Sequence, residues 1–309
     1  MKRFISNICV LICLLFFGAL GIDLGISKVL SDNKARMFVG WNIILKEHID
    51  ADLTILGSSR AWVHYDPYIL DSILHINSYN LGIDGAHFLK QRMKYNIYKQ
   101  YQELPQVVIL NIDYLFSLEE ETDYEREQLF PFFLYPSWRR EIYNIRPSYS
   151  FSELNIPLFR YINSGGVSYF LHFIGEHNNL YKGYEGQELI WDGTNLRKES
   201  LRHVAYDEYV LQSLEQFVKE VKQDHVTLLF CFAPVYVGCT ETVDNFKEIM
   251  DIYMDLSKKY DVPILDYTFS TLSQDTTYFY NATHMNKQGA ELFSIQLAHD
   301  LDSLGIISH

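Results

Sequence analysis

Apolar and polar residues alternate along most of the chain in blocks that predict short strands separated by amphipathic helices. Apolar runs bounded by turn residues predict strands at 52–57, 78–81, 106–112, 226–233 and 262–266. Helical periodicity predicts helices at about 86–103, 243–260 and 287–301, and one apolar helical face between 210 and 221. This alternation predicts an α/β fold, a flavodoxin-like three-layer sandwich with a five-stranded parallel sheet.

The first 30 residues follow a different pattern and predict a membrane-spanning helix. The stretch from 4 to 22 is apolar apart from two polar residues near its start, and it is long enough to cross a bilayer. Lys2 and Arg3 precede it, so the basic flank is expected in the cytoplasm and the rest of the chain outside. A cleaved signal peptide is the alternative, because the small residues at 19–21 resemble a cleavage site. We therefore predict an anchor or signal segment at 1–30 and an extracytoplasmic, single-pass membrane protein.

Length, charge and cysteine content restrict the remaining choices. The chain has 309 residues, which suits one α/β domain at 31–309 with a large insertion. Its net charge of −13 makes nucleic acid an unsuitable partner. Two of the four cysteines lie in the apolar N-terminal run, and Cys231 and Cys239 show no paired Cys/His spacing. No metal, cofactor or disulfide framework is therefore predicted.

An insertion at 115–200 separates the third and fourth predicted strands and is dense in aromatic residues. Long insertions at the carboxyl ends of strands often form lids and binding surfaces. Tyrosine and tryptophan suit sugar stacking or a membrane interface. A small additional hydrophobic core is the structural alternative, and the sequence leaves both interpretations open.

Two short segments carry candidate chemistry. Ser58 and Ser59 follow the first predicted strand directly, and His284 lies near the C-terminus. A hydroxyl on a strand-to-helix turn, paired with a distant imidazole, is what acyl transfer through a serine ester requires. The structural alternative is that both serines only cap the helix that follows.

Four segments resemble, in order, the sequence blocks of the SGNH/GDSL hydrolase family. They are Gly57-Ser58-Ser59-Arg60, Asn80-Leu81-Gly82-Ile83-Asp84-Gly85, Asn111-Ile112-Asp113 and Asn281-Ala282-Thr283-His284. The resemblance covers the predicted core and not the insertion. With its predicted anchor and the Gly-Ser-Ser opening of its first block, the chain is similar to the cell-envelope branch of the family. This branch includes the D-alanylation protein DltD and polysaccharide O-acetylation proteins.

The resemblance implies a role for each matching residue. Ser59 takes the place of the nucleophile, and its backbone N–H would also serve the oxyanion hole. Gly85 takes the place of a second oxyanion donor, and His284 that of the general base. Asn281 stands where the family has the aspartate that orients the histidine, and Asp113 stands where the family has an oxyanion amide.

The last two positions depart from the family pattern. With Asn281 as orienter, three alternatives remain: a Ser-His dyad with backbone help, a substitute carboxylate such as Asp266 or Asp275, or a site without turnover. An ionised Asp113 cannot donate to an oxyanion, so it must be protonated, turned away or used for another purpose. Asn111 replaces it as a donor only if the end of the strand shifts.

The resemblance implies an anchored serine esterase or acyltransferase that acts on O-acyl groups, especially O-acetyl, of a cell-envelope polysaccharide or related polymer. Whether water or a sugar hydroxyl accepts the acyl group is left open. One alternative is a catalytically inactive SGNH-like protein that binds glycan or scaffolds a polymer-synthesis complex. Another is a lipid-directed esterase.

Overall fold

The computed structural model of the protein describes residues 1–115, 117–145, 149–176, 180–193 and 201–307. Its strands are β1 (Leu53–Leu56), β2 (Ser78–Asn80), β3 (Val107–Asn111), β4 (Thr227–Phe232), β5 (Ile264–Asp266), β6 (Phe279–Asn281) and β7 (His284–Met285). Its α-helices are α1 (Lys2–Ser31), α2 (Arg36–Lys46), α3 (Ser59–His64), α4 (Pro67–Leu74), α5 (Phe88–Tyr101), α6 (Pro136–Asn144), α7 (Phe151–Asn155), α8 (Phe159–Asn163), α9 (Val167–Leu171), α10 (Glu208–Gln223), α11 (Phe246–Tyr260) and α12 (Lys287–Ser303).

The first five strands form one parallel sheet in the order β2-β1-β3-β4-β5. This is the predicted flavodoxin-like order, and all five predicted strands are present with ends shorter by one or two residues. Parallel strands buried on both faces consist mainly of apolar residues, as β3 and β4 do here. The predicted fold class is confirmed.

Helices cover both faces of the sheet. On one face, α3, α4 and α12 pack against alternate strand residues, among them Leu53, Ile109 and Leu229. Phe230 follows Leu229 and therefore points to the opposite face, where its ring lies 6.0 Å from that of Tyr253 on α11. Helix α10 contacts β4, α5 and α11 on the same side. The result is the predicted three-layer arrangement.

The turn from β1 into α3 depends on a glycine. A Cβ atom at Gly57 would lie 2.6 Å from Cβ of Ala61 and 2.8 Å from Cβ of Asn111, closer than carbon atoms can approach. The missing side chain lets α3 begin directly against the end of β3. Ser59, as the first residue of α3, is thereby fixed at the carboxyl edge of the sheet.

The segment after β2 holds the other end of α3. The amide Nδ2 of Asn80 donates to the backbone oxygens of Ala61 at 2.7 Å and Tyr65 at 2.9 Å, which satisfies carbonyls at the end of the helix. A Cβ atom at Gly82 would lie 2.3 Å from the backbone nitrogen of Trp62. The loop and the helix therefore pack backbone to backbone.

A small hairpin that the sequence analysis did not predict lies near the C-terminus. Strands β6 and β7 pair antiparallel, with Asn281 opposite His284 and an irregular register on the β6 side. The strands have three and two residues, too few for an alternating pattern to be recognisable. Helix α12 begins directly after the hairpin and is capped by the side chain of Asn286, which accepts the Gly289 N–H.

The chain packs as two compact units. Unit 1 comprises 1–46 and 122–178, and unit 2 comprises 47–121 and 179–309. The insertion predicted at 115–200 thus contributes 122–178 to unit 1 and its remaining residues to unit 2, while residues 31–46 belong to unit 1. The lid role of the insertion stays a prediction.

Unit 1 is built around aromatic side chains. Its buried aromatic residues include Trp41, Phe130, Phe132, Trp138, Tyr161 and Phe170. The rings of Phe132 and Trp138 stack with centroids 4.1 Å apart, and the indole N–H of Trp41 donates to Gln128 Oε1 at 2.7 Å. These aromatics therefore form a core of their own, which was the structural alternative for the insertion.

Helix α1 is the one helix within the described ranges that is long and apolar enough to cross a membrane. At about 1.5 Å per residue its 30 residues extend over about 45 Å, more than the hydrocarbon thickness of a bilayer. Its side chains from Lys2 to Gly18 are all exposed. The helix agrees with either an anchor or a signal segment, and its topology stays a prediction.

Substitution of Gly82 by alanine tests the packing of α3 on the β2 loop. We expect Gly82→Ala to lower the free energy of unfolding by about 2 kcal/mol or more, because backbone atoms rather than a flexible side chain must move. Urea unfolding of the full-length protein in detergent measures the change. Gly18→Ala is the matched control, since a Cβ there meets nothing within 4 Å. Equal stability of the two variants would contradict the close approach.

Candidate active site

Ser59 and His284, which lie 225 positions apart in the chain, meet at the carboxyl edge of the sheet. The hydroxyl oxygen of Ser59 lies 2.6 Å from Nε2 of His284. Ser59 itself is half-buried. The distance is within the hydrogen-bond reach that a nucleophile and its general base need.

Asn281 lies directly behind the imidazole. Its side-chain oxygen Oδ1 is 3.0 Å from Nδ1 of His284, and it also accepts the backbone N–H groups of Thr283 and His284, each at 3.0 Å. A backbone N–H can only donate, so these two groups require the oxygen of the amide and not its nitrogen at this position. The orientation of the Asn281 amide is therefore fixed by the backbone of the hairpin.

This orientation selects one tautomer of His284. With an oxygen acceptor 3.0 Å away, Nδ1 carries the proton, and Nε2 is left as the acceptor that faces the Ser59 hydroxyl. The hydroxyl of Thr283 donates to the same Oδ1 at 3.2 Å, and its own oxygen lies 3.0 Å from Nδ1. The arrangement thus has the tautomer that a Ser-His pair needs, although the orienting side chain is an amide.

The imidazole of His284 is held in its neutral form. Burial lowers its pKa first, and the nearby Arg60 charge lowers it further, to about 4, while the Asp113 carboxylate offsets part of the shift. No carboxylate of the described residues bonds to Nδ1. The substitute carboxylates considered above bond elsewhere: Asp266 accepts the N–H of Thr268, and Asp275 that of Thr277.

Asp113 does not fit the role of oxyanion donor, and this expectation needs correction. Its Oδ2 accepts hydrogen bonds from Ser58 Oγ at 3.0 Å and from Arg60 Nε at 3.1 Å, and its Oδ1 accepts the Leu115 N–H at 2.9 Å. Burial alone raises the pKa of Asp113, but the Arg60 charge and the three donors outweigh it and lower the pKa below its ordinary value. Asp113 is therefore an ionised acceptor, used to hold Ser58 and Arg60.

Arg60 and Asp113 form a buried ion pair beneath the turn that carries Ser59. Two further donors of the guanidinium reach the backbone oxygens of Ile112 at 3.0 Å and Ala233 at 3.3 Å, and its plane lies over the Phe232 ring. Charges taken out of water are stable only when paired and fully hydrogen-bonded in this way. The pair ties the start of α3 to the ends of β3 and β4.

Two backbone N–H groups are available as oxyanion donors. Among the described residues, neither the N–H of Ser59 nor that of Gly85 donates to a protein acceptor. Gly85 has a φ of +61°, a left-handed conformation that favours glycine. Asn111 is not a substitute donor at the surface of the site, because it is fully buried and its Nδ2 donates to the backbone oxygen of Ile112 at 3.5 Å. The oxyanion roles of Ser59 and Gly85 stay predictions.

His64 is a residue of the site to which the sequence analysis gave no role. It lies at the end of α3 but is fully buried, and its Nε2 accepts the backbone N–H of Met285 at 2.9 Å. Its ring meets that of His284 edge-on, with centroids 6.2 Å apart. Burial, His284 and Arg60 hold the pKa of His64 well below its ordinary value. A neutral His64 therefore links the helix of Ser59 to the strand of His284.

Tyr280 is a second residue that the sequence analysis left without a role. Its ring stacks on the His284 imidazole, with centroids 5.4 Å apart and planes 17° from parallel. The signal available in the sequence was its position beside Asn281 in the last block. For His64, the signal was its position directly after the apolar residues Ala61, Trp62 and Val63.

Comparison with known proteins gives distant likenesses. No protein-family model matches the chain, and no curated protein matches it. Among solved structures, a protein described as lipolytic and of the G-D-S-L family, from Desulfitobacterium hafniense DCB-2, is similar over 81% of this chain and 99% of its own, with 11% identity and a TM-score of 0.41. The acetyl xylan esterase AlAXEase is similar over 82% and 98%, with 10% identity and a TM-score of 0.39. Similarities this distant establish neither a shared family nor a shared function.

The environment of His284 predicts its titration. We expect the imidazole to titrate at about pH 4 rather than near 6.5, because burial and the Arg60 charge oppose protonation. Asn281→Asp should raise this pKa by at least about one unit, since a carboxylate beside Nδ1 favours the imidazolium. NMR of protein with isotope-labelled histidine measures both values, with His284→Gln identifying the signal.

Gln100→Glu is the control, since it adds the same charge at an exposed position near the end of α5, before the amino edge of the sheet. It should leave the pKa of His284 unchanged. A wild-type midpoint near 6.5, or an Asn281→Asp variant with an unshifted pKa, would contradict the described environment.

Proposed function

We propose that the protein is a serine esterase or O-acyltransferase of the SGNH type. The observation that carries the proposal is the hydrogen-bonded series from the Ser59 hydroxyl through His284 to the Asn281 amide oxygen. Its members lie on a strand-to-helix turn and on a hairpin, at the edge of the sheet where ligands of open α/β folds bind. The four sequence blocks that resemble this family contain the same residues.

In the proposed reaction, Ser59 Oγ attacks the acyl carbon and its proton passes to Nε2 of His284. The oxyanion of the tetrahedral intermediate accepts the N–H groups of Ser59 and Gly85, where one preorganised donor contributes about 3 kcal/mol to the stability of the transition state. His284 then gives the proton to the departing alcohol, which leaves an acyl ester on Ser59. Water or an acceptor hydroxyl removes the acyl group by the reverse sequence of steps.

The amide behind His284 limits the proposed rate. Asn281 fixes the tautomer, but it stabilises the imidazolium only through a dipole and not through a full charge. A base with a pKa of about 4 is protonated less readily by a serine hydroxyl than an ordinary histidine. We therefore expect a slow enzyme, in which positioning and the oxyanion donors contribute more than proton affinity.

The proposed substrate is an O-acyl group, especially O-acetyl, on a cell-envelope polysaccharide or related polymer. The similarity of the sequence blocks to the cell-envelope branch supports this class. Helix α1, in which Lys2 and Arg3 precede the apolar stretch, supports a single-pass anchor with the remaining chain outside the cytoplasm. The membrane and an acylated polymer are then the proposed partners.

A catalytically inactive SGNH-like protein that binds glycan or scaffolds a polymer-synthesis complex is the second candidate. Two observations favour it: none of the described carboxylates bonds to Nδ1 of His284, and Asp113 is an acceptor where the family has an oxyanion donor. The two candidates differ in whether Ser59 reacts.

Labelling with a fluorophosphonate probe separates the candidates. We expect the full-length protein to be labelled and Ser59→Ala to be unlabelled, because within the part of the chain that the structure describes Ser59 is the residue that bonds to Nε2 of His284. His284→Gln should slow labelling by about 10²- to 10⁴-fold, the usual contribution of a general base. The rate is read from the probe signal over time on a gel.

Ser58→Ala is the control, since the Ser58 hydroxyl bonds to Asp113 and not to His284; it should keep the label. Labelling that persists in Ser59→Ala would exclude Ser59 as the nucleophile. A folded wild-type protein that takes no label would support the inactive candidate. Release of acetate from an O-acetylated polysaccharide by the wild type, and not by Ser59→Ala, would support the substrate class.

A further inference from the structure

Helix α1 changes its character beyond Ile22. Up to that residue its side chains are almost all exposed and apolar, and residues 4–22 extend over about 28 Å, close to the thickness of a hydrocarbon core. The following turns pack into unit 1, with Asp23, Ser27 and Leu30 buried. The last third of α1 is thus part of the folded unit.

The polar residues of this segment point inward, except for Lys28, whose exposed ammonium pairs with Asp32 at 3.0 Å at the end of the helix. Asp23 Oδ1 accepts a hydrogen bond from the buried guanidinium of Arg160 at 2.5 Å, and Asp23 Oδ2 accepts the Leu158 N–H at 2.7 Å. The hydroxyl of Ser27 lies 2.8 Å from the Tyr161 hydroxyl and 3.1 Å from Arg160 Nη2. A buried charge pair with these additional partners fixes α1 firmly to unit 1.

The apolar residues of the same segment point outward. Ile22, Leu24 and Val29 are each about half exposed, although Asp23 and Ser27 between them are buried. A helix on the surface of a water-soluble protein shows the opposite pattern, with its apolar stripe facing the core. Polar side chains that face the protein interior, with apolar ones outside, are typical of a helix surrounded by lipid.

An apolar groove of about 310 Å³ runs between this segment and α9. Its walls include Ile22, Gly25, Ile26 and Val29 from α1, and Leu171 and Ile174 from α9 and the turn that follows. Leu171 and Ile174 are 54% and 53% exposed. Val29 lies seven residues beyond Ile22, about 10 Å further along the helix, which matches the depth of the boundary between headgroups and acyl chains.

The charge of unit 1 is compatible with an anionic lipid surface. Unit 1 contains 11 basic residues (Lys and Arg) and 8 acidic residues (Asp and Glu). Two of the basic residues, Lys2 and Arg3, precede the apolar stretch. Unit 2 contains 15 Lys and Arg and 31 Asp and Glu. Anionic headgroups would repel the acidic unit 2, whereas the nearly balanced unit 1 can approach them.

We propose that the groove between α1 and α9 is a lipid-binding surface, seated at the headgroup boundary of the bilayer that α1 spans and filled by acyl chains of that leaflet. The inference rests on the proposed anchoring of the chain by α1. It adds that the segment around α9 is itself a membrane contact, so that unit 1 is held at the bilayer by two elements rather than by α1 alone.

Lipid quenching of a site-specific fluorophore tests the proposal. The full-length chain, with Cys9→Ser and Cys13→Ser, keeps only the buried Cys231 and Cys239, so a new exposed cysteine is labelled selectively. The protein is reconstituted in vesicles of phosphatidylethanolamine and phosphatidylglycerol that contain lipid with a quencher near the headgroup end of its acyl chain. A polarity-sensitive dye at Ile174→Cys should shift to the blue and lose roughly two-fold in intensity.

Three further labelled variants distinguish the outcomes. Leu171→Cys should behave as Ile174→Cys does, and Phe269→Cys, an exposed apolar position of unit 2, should not be quenched. Leu15→Cys, at the middle of the apolar stretch, reports on the anchor through lipid with a deeper quencher. If Leu15→Cys is unquenched, the anchor is wrong and the groove proposal fails with it.

If Leu15→Cys is quenched and the groove positions remain in a polar environment, the anchor stands and the groove proposal is overturned. A groove dye that is shifted to the blue without quenching by lipid also overturns it, because this result indicates cover by a second protein copy.

Discussion

Two backbone N–H groups, those of Thr283 and His284, provide the constraint on which the site depends. Together they require an oxygen at the end of the Asn281 side chain, and this oxygen sets the proton of His284 on Nδ1. An asparagine that was free to rotate could present its nitrogen and stabilise the opposite tautomer, with which Ser59 would have no acceptor. The hairpin thus substitutes for part of what an aspartate does, namely orientation, but not for its charge.

The remaining contacts bring the hairpin to Ser59. His64 connects the end of α3 to Met285, next to His284, so the two halves of the site are joined by a buried hydrogen bond as well as by the sheet. Below the turn, the Arg60–Asp113 pair holds the beginning of α3 against β3 and β4. The same arginine contributes to the low pKa of His284, so the group that stabilises the turn also opposes protonation of the imidazole. Structure and reactivity are coupled through one buried charge.

The strands of the sheet and their order could be predicted from the sequence, because each strand is a short apolar run between turn residues and because α/β alternation restricts the topology. The sequence also indicated Ser59 and His284, whose positions follow from the ends of strands and from resemblance to known blocks. It did not predict the β6–β7 hairpin, whose strands are too short to show a period. It also did not predict the orientation of the Asn281 amide, which depends on the conformation of the backbone.

The roles of Asp113 and His64 could not be assigned from the sequence for a related reason. Both are polar residues whose roles depend on partners far away in the chain, Arg60 for Asp113 and Met285 for His64. A local pattern shows the type of side chain but not whether its hydrogen bonds are already used. Similarly, the aromatic residues of the insertion suited a binding surface as well as a core, and only their burial distinguishes the two.

The tautomer of His284 is the most direct test of this account. Nitrogen-15 NMR of histidine-labelled full-length protein at neutral pH, with His284→Gln to assign the signals, distinguishes a protonated from an unprotonated ring nitrogen. With the Asn281 oxygen behind it, His284 is expected to carry a proton on Nδ1 and none on Nε2. A proton on Nε2, with Nδ1 unprotonated, would mean that Asn281 does not orient the imidazole toward Ser59 and would contradict the central claim.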